Sequence, residues 1–153
     1  MSQAIKAEDF QNLAGQELEP SSWLEITQER VNQFADATND HQFIHVDAVK
    51  AAQTPFGGTI AHGFLTLSMI SFLTAEKAKF PEGLAMSINY GSDKVRFLQP
   101  VRVGSRIRAL QKVLSVTMKG ANQYLIKTEV TIEIENSDKP ALVSQTLALF
   151  ITQ

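Results

Sequence analysis

From Phe64 to Ala75 the chain carries no proline, no glycine and no charge. Phe64, Leu67, Ser68, Ser71, Phe72 and Ala75 recur at the i, i+3, i+4, i+7 spacing of one helical face. Leu65, Met69, Ile70 and Leu73 cover much of the remaining circumference. A helix that is apolar nearly all round must be buried on most sides. The run is shorter than the roughly 20 apolar residues of a membrane span. Charges return at Glu76, Lys77 and Lys79, and Pro81 forbids much continuation. The expectation is a central helix with the rest of the chain wrapped around it.

The wrapping is legible downstream. After Pro81-Glu82-Gly83 the hydrophobic period changes from helical to two. Met86, Ile88 and Tyr90 alternate with Ser87 and Asn89, which predicts a half-buried strand. Gly91-Ser92 predicts a bulge within it, and Val95 and Phe97 resume it. A second strand is expected from Arg106 to Val116, followed by a hairpin turn at Lys119-Gly120-Ala121-Asn122. The clearest alternation comes next: Tyr124, Ile126, Thr128, Val130, Ile132 and Ile134 face one way, with Lys127, Glu129, Thr131, Glu133 and Glu135 opposite. Ala141 to Thr152 reads as a more apolar, central strand.

Upstream, a short helix is expected from about Lys6 to Leu13 and a short strand at Trp23-Leu24-Glu25-Ile26. Thr27 is placed to cap a helix that carries Val31, Phe34 and Ala35 inward and ends near Thr38-Asn39. Asp40 to His45 reads as loop, and Asp47 as the cap of a helix from Ala48 to Gln53. Helices followed by strands argue an α+β fold, with a curled antiparallel sheet around the long helix. No repeat or linker divides residues 1–153, so one domain is expected.

Composition narrows the chemistry. A net charge of −2 leaves no basic footprint for nucleic acid. With no cysteine there is no thiolate nucleophile, disulfide or cysteine-based zinc site. That fits a cytoplasmic protein, and the first ten residues carry no apolar signal-peptide core. The remaining candidates are His41, His45 and His62 with Asp36, Asp40 and Asp47. A carboxylate and an imidazole held close together, such as Asp40 and His45, can orient a water or move a proton near neutral pH. Surface loops are nevertheless often rich in polar residues. Gly63 opens the long helix, where first-turn amides lack intrahelical partners and the macrodipole is positive. That is the arrangement of an oxyanion hole. Ser71 lies about two turns deeper, where its hydroxyl could hold a water or simply allow close packing. His62 by itself reads as a structural residue or cap. His41-x-x-x-His45-x-Asp47 would share one side only on a helix, so no metal site is expected. Arg96, Arg102, Arg106 and Arg108 read as a solvated face.

Two segments carry a resemblance. Ala37-Thr38-Asn39-Asp40-His41-Gln42-Phe43-Ile44-His45-Val46-Asp47, with Pro55-Phe56-Gly57-Gly58-Thr59-Ile60-Ala61-His62-Gly63, is similar to the MaoC-like dehydratase family. This is the hot-dog-fold group that includes (R)-specific enoyl-CoA hydratases, and the wording is nearest a nodulation-protein-N-like subgroup. Phe97-Leu98-Gln99-Pro100-Val101-Arg102-Val103-Gly104 matches the family's later strand-turn. The resemblance implies reversible hydration of a trans-2-enoyl thioester to an (R)-3-hydroxyacyl thioester. It implies Asp40 and His45 as the catalytic dyad, Gly63 as the oxyanion-hole amide and Ser71 as a water-holding serine. Phe43, Phe56 and Phe64 are candidates to line the acyl site, although core packing explains them equally well. No cofactor is implied beyond coenzyme A as part of the substrate; the partner is an acyl-CoA or acyl carrier protein thioester. A homodimer with sites at its interface is implied too. Asn39 stands where the family commonly has glycine, and both residues tolerate positive φ. An acyl-CoA thioesterase, a non-catalytic acyl-thioester-binding protein and a purely structural domain are the rival readings.

Overall fold

The computed structural model describes all 153 residues. In chain order the elements are β1 (Gln3–Ile5), α1 (Ala7–Phe10), a 3-10 turn (Gln11–Leu13), β2 (Glu17–Leu18), β3 (Leu24–Glu25), α2 (Gln28–Thr38), α3 (Phe43–Val46) and α4 (Ala48–Ala51). The second half holds α5 (Gly63–Ala75), β4 (Lys79–Pro81), β5 (Leu84–Phe97), β6 (Arg106–Gly120), β7 (Gln123–Ile134) and β8 (Leu142–Thr152). The main sheet is antiparallel, in the order β2-β6-β7-β8-β5, with β3 also paired to β6. β1 and β4 form a separate parallel pair.

The alternation of β7 translates directly into packing. Tyr124, Ile126, Val130, Ile132 and Ile134 are buried, and the long helix α5 lies against this side of the sheet through Leu65, Met69, Ile70 and Leu73. On the other side β6 and β7 are tied by Arg108 Nε to Glu133 at 2.6 Å and by an Arg106–Glu135 pair. Arg108 also lies 4.6 Å over the Trp23 ring. Two of the arginines assigned to a solvated face are therefore satisfied by cross-strand partners. A second core cluster gathers Phe10, Leu13, Val113, Tyr124, Ile126 and Phe150, which locks the N-terminal helix over the far end of the sheet.

Local signals are realised. Thr27 Oγ1 accepts the Arg30 amide at 3.2 Å, and Asp47 Oδ1 accepts the Lys50 amide at 3.0 Å. β5 shifts register on β8 around Gly91 and Ser92. Three expectations need correction. The Asp40–His45 segment is not wholly loop, because Phe43–Val46 closes one helical turn. β5 is not half-buried: Met86, Ile88 and Tyr90 are exposed along with their alternating neighbours, since β5 is an edge strand with only β8 beside it. The long helix is not covered on most sides either. Leu65, Thr66, Met69, Ile70 and Leu73 are buried, whereas Phe64 is 67% and Phe72 64% exposed, with Ser68, Ser71 and Ala75 open on the same stripe. An apolar circumference requires cover but does not say which faces this chain covers.

Candidate active site

Helix α2 ends in a way that aims Asp40. Asn39 adopts the left-handed conformation, φ 58° and ψ 26°, and its amide and that of Asp40 both close on the Ala35 carbonyl. Asp40 thus leaves the helix in a fixed direction, with its carboxylate about half exposed. The turn α3 then delivers His45, which is 7% exposed. His45 Nδ1 lies 2.7 Å from the Ile60 carbonyl. A carbonyl only accepts, so Nδ1 carries the proton and Nε2 is the bare nitrogen of the neutral ring. The Ile60 segment is itself held by Ile60 N–H to Ile44 O at 3.0 Å and Ala61 N–H to Val101 O at 2.8 Å.

His62, the residue before α5, does not cap that helix through its side chain. It is 3% exposed, its Nε2 lies 2.9 Å from the Asp40 carbonyl, and its ring stacks on His45 with centroids 3.8 Å apart and planes 24° from parallel. Donor atoms of Asp40, His45 and His62 all fall within 4.8 Å of one another. Separations of that size let one water oxygen, about 2.8 Å from each, bridge the carboxylate and the imidazole. Burial pushes the His45 pKa below its ordinary value near 6.5, His62 adds to that, and the Ile60 carbonyl and Asp40 oppose it. The uncharged, proton-accepting form of His45 is thereby favoured.

The same three residues are also the group whose spacing could admit a metal ion. One nitrogen of each ring faces a backbone carbonyl, which leaves each imidazole a single nitrogen free to coordinate. His41 leaves the group altogether and faces Asp36 Oδ1 at 2.7 Å on the surface.

Gly63 is the first residue of α5, so its amide has no acceptor within the helix. A Cβ at this position would sit 3.1 Å from Cδ1 and Cε1 of Phe97. Glycine is what allows that ring to close over the helix start. His45, Gly63, Phe64, Thr66 and Phe97 line one cavity of about 440 Å³. Asp40 borders His45 at its edge without being part of that lining. Phe43 lies outside the lining, and Ser71 lies elsewhere: it faces a separate cavity of about 690 Å³ between α5 and the sheet, with Ser68, Ile70, Gln111, Thr146 and Phe150. The larger cavity has Lys79 as its one ionisable lining residue and none of Asp40, His45 and His62, so the smaller one, which holds His45, is the candidate for chemistry.

One supporting residue has no motif. Gln28 Nε2 donates to the His45 carbonyl at 2.8 Å while its Oε1 accepts from Thr59 Oγ1 at 2.6 Å. It clips α3 to the segment that leads into His62. A glutamine at the start of a helix carries no such signal in sequence, because both partners are distant along the chain.

Comparisons with known proteins place the chain in a family. Residues 9–136 match the MaoC-like domain. The chain is 48% identical over 147 residues to nodulation protein N of Rhizobium meliloti, covering 95% of this chain and 91% of that protein. It is 45% identical over 143 residues to 3-hydroxyacyl-thioester dehydratase Z of Mycobacterium tuberculosis, covering 94% of each. Among solved structures, the unliganded R-hydratase PhaJ1 of Pseudomonas aeruginosa superposes with a TM-score of 0.70 at 26% identity, over 92% of this chain and 83% of that one. The helix-in-sheet architecture is the hot-dog fold of these neighbours. On the extent of the family match and of its full-length relatives, the chain belongs to the MaoC-like dehydratase and hydratase family.

Proposed function

We propose that this protein, acting as one domain over residues 1–153, adds water reversibly across the double bond of a trans-2-enoyl thioester to give an (R)-3-hydroxyacyl thioester. The observation that carries the reading is the carboxylate–imidazole pair of Asp40 and His45 beside the acceptor-free amide of Gly63. The thioester carbonyl accepts the Gly63 N–H, so negative charge develops on oxygen against the positive end of α5. Asp40 and His45 hold one water. Its oxygen bonds to C3 as one member of the pair takes its proton, and a proton is delivered to C2 with help from the other. The bare Nε2 of His45 suits the accepting role. This acid–base chemistry calls for no metal or redox cofactor, and coenzyme A or acyl carrier protein enters only as the carrier of the acyl group. The named activity of the dehydratase Z relative supports the same substrate class.

The open stripe of α5 and the long edge of β5 support a homodimer. Phe64, Phe72, Met86, Ile88 and Tyr90 present apolar surface to solvent, and Phe64 also lines the candidate cavity. Together with an unpaired strand edge they form a surface that a second copy would cover. A cytoplasmic location accords with the acyl-thioester substrate; no helix is long and apolar enough to cross a membrane.

The test is hydration of crotonyl-CoA, followed by loss of its absorbance. Asp40→Asn and His45→Gln are each expected to lower turnover by about two to four orders of magnitude while the melting transition is retained. Wild-type turnover in both variants refutes the dyad. Release of free thiol in place of hydration identifies the rival thioesterase, and tight binding without turnover identifies a non-catalytic acyl-thioester carrier.

A further inference from the structure

We propose that His62 is a positioning residue of this site, one side chain that fixes the Asp40 main chain, the His45 ring and the start of α5 relative to one another. The inference rests on the hydratase reading for its kinetic consequences, but its geometry stands apart from it. His62 is adjacent in sequence to Gly63, its Nε2 reaches the Asp40 carbonyl at 2.9 Å, and its ring lies on His45 at 3.8 Å. Phe34 of α2 packs against the same ring at 5.0 Å. The titratable groups facing it are His45 from α3 and the Asp40 carboxylate, whose Oδ2 is 4.0 Å from Nε2.

The acceptor at Asp40 O obliges Nε2 to carry the proton, which leaves Nδ1 bare. That Nδ1 is buried without a hydrogen-bond partner in the protein. Such an atom is costly to retain unless the arrangement serves something else. The two stacked imidazoles therefore have opposite tautomers: His45 protonated at Nδ1 and His62 at Nε2. His62 lies against the His45 ring and opposes its protonation. His62 consequently acts on the chemistry through its neighbours, by orienting Asp40 and by holding His45 in its accepting form.

Three variants separate these contributions. His62→Leu removes donor and ring, His62→Phe keeps a ring without the donor, and His62→Gln keeps a donor able to reach the Asp40 carbonyl. With crotonyl-CoA, the Leu and Phe variants are expected to lose about 10- to 100-fold in kcat with little change in KM, and the Gln variant to recover part of that loss. The acid limb of the kcat/KM profile is expected to move to higher pH in all three, because the repelling imidazole is gone. Nitrogen-15 shifts of the unsubstituted protein supply a readout free of both activity and variant folding: they are expected to report Nδ1–H at His45 and Nε2–H at His62. Should the parent fail to hydrate crotonyl-CoA, the hydratase reading falls while the tautomers still decide the positioning claim. The opposite tautomers, or folded Leu and Phe variants with the parent's kcat and pH profile, overturn it.

Discussion

At the scale of single residues, His45 links stability to chemistry. Its folded pKa lies below 6.5, chiefly because burial disfavours the charged ring. Below 6.5 the unfolded chain takes up a proton that the folded site resists. The stability associated with this group is therefore complete above that value and is lost as pH falls toward the folded pKa. The expected result is a melting midpoint that declines with pH in that window, with this component absent from His45→Gln. The acid limb of kcat/KM should fall in the same window, since both report the neutral imidazole. Asp40 and His45 stand out in the sequence as a carboxylate and an imidazole five residues apart, within the segment that carries the family resemblance. Gln28 and the His45–His62 stack do not, because hydrogen bonds and ring contacts across distant segments leave no local pattern.

At the scale of elements, the site depends on how α2 ends. Asn39 sits at φ 58°, where an amide side chain is tolerated and a β-branched one is not. Asn39→Gly is expected to keep both stability and crotonyl-CoA turnover close to the parent's. Asn39→Val should cost about 1–2 kcal/mol in urea unfolding and should lower turnover as well, because the same strain falls on the peptide that aims Asp40. The caps at Thr27 and Asp47 and the bulge at Gly91-Ser92 were readable because each follows from short-range backbone chemistry. The α3 turn was not: a four-residue helix has too short a period to register, and it is held by Gln28 and the Ile60 segment.

At the scale of the whole molecule, the exposed stripe of α5 and the β5 edge predict assembly. Burying a large apolar side chain is worth about 1.5–3 kcal/mol, so covering Phe64, Phe72, Met86, Ile88 and Tyr90 gives a second copy ample driving force. Sedimentation at micromolar concentration is expected to show a dimer, and Ile88→Lys a folded monomer with reduced crotonyl-CoA turnover. A monomeric parent protein would contradict this arrangement. A second copy on this surface would cover the strand β5, which alternates in sequence and yet buries neither face within one chain.

By itself the sequence determined the long helix, the order of the long strands and the helix-in-sheet architecture, and it singled out Asp40, His45 and Gly63 as candidates. Those follow from periodicity, capping and motif, which are properties of neighbouring residues. Only the tertiary structure decided that Ser71 faces a different cavity from His45, that Phe43 stands outside the site, and which stripe of α5 stays open. It also decided that His62 belongs with the dyad rather than to a helix cap. The reason is that a helix of uniform apolarity specifies burial without direction, and direction is set only when the sheet, the α2–α3 corner and the Ile60 segment pack against it.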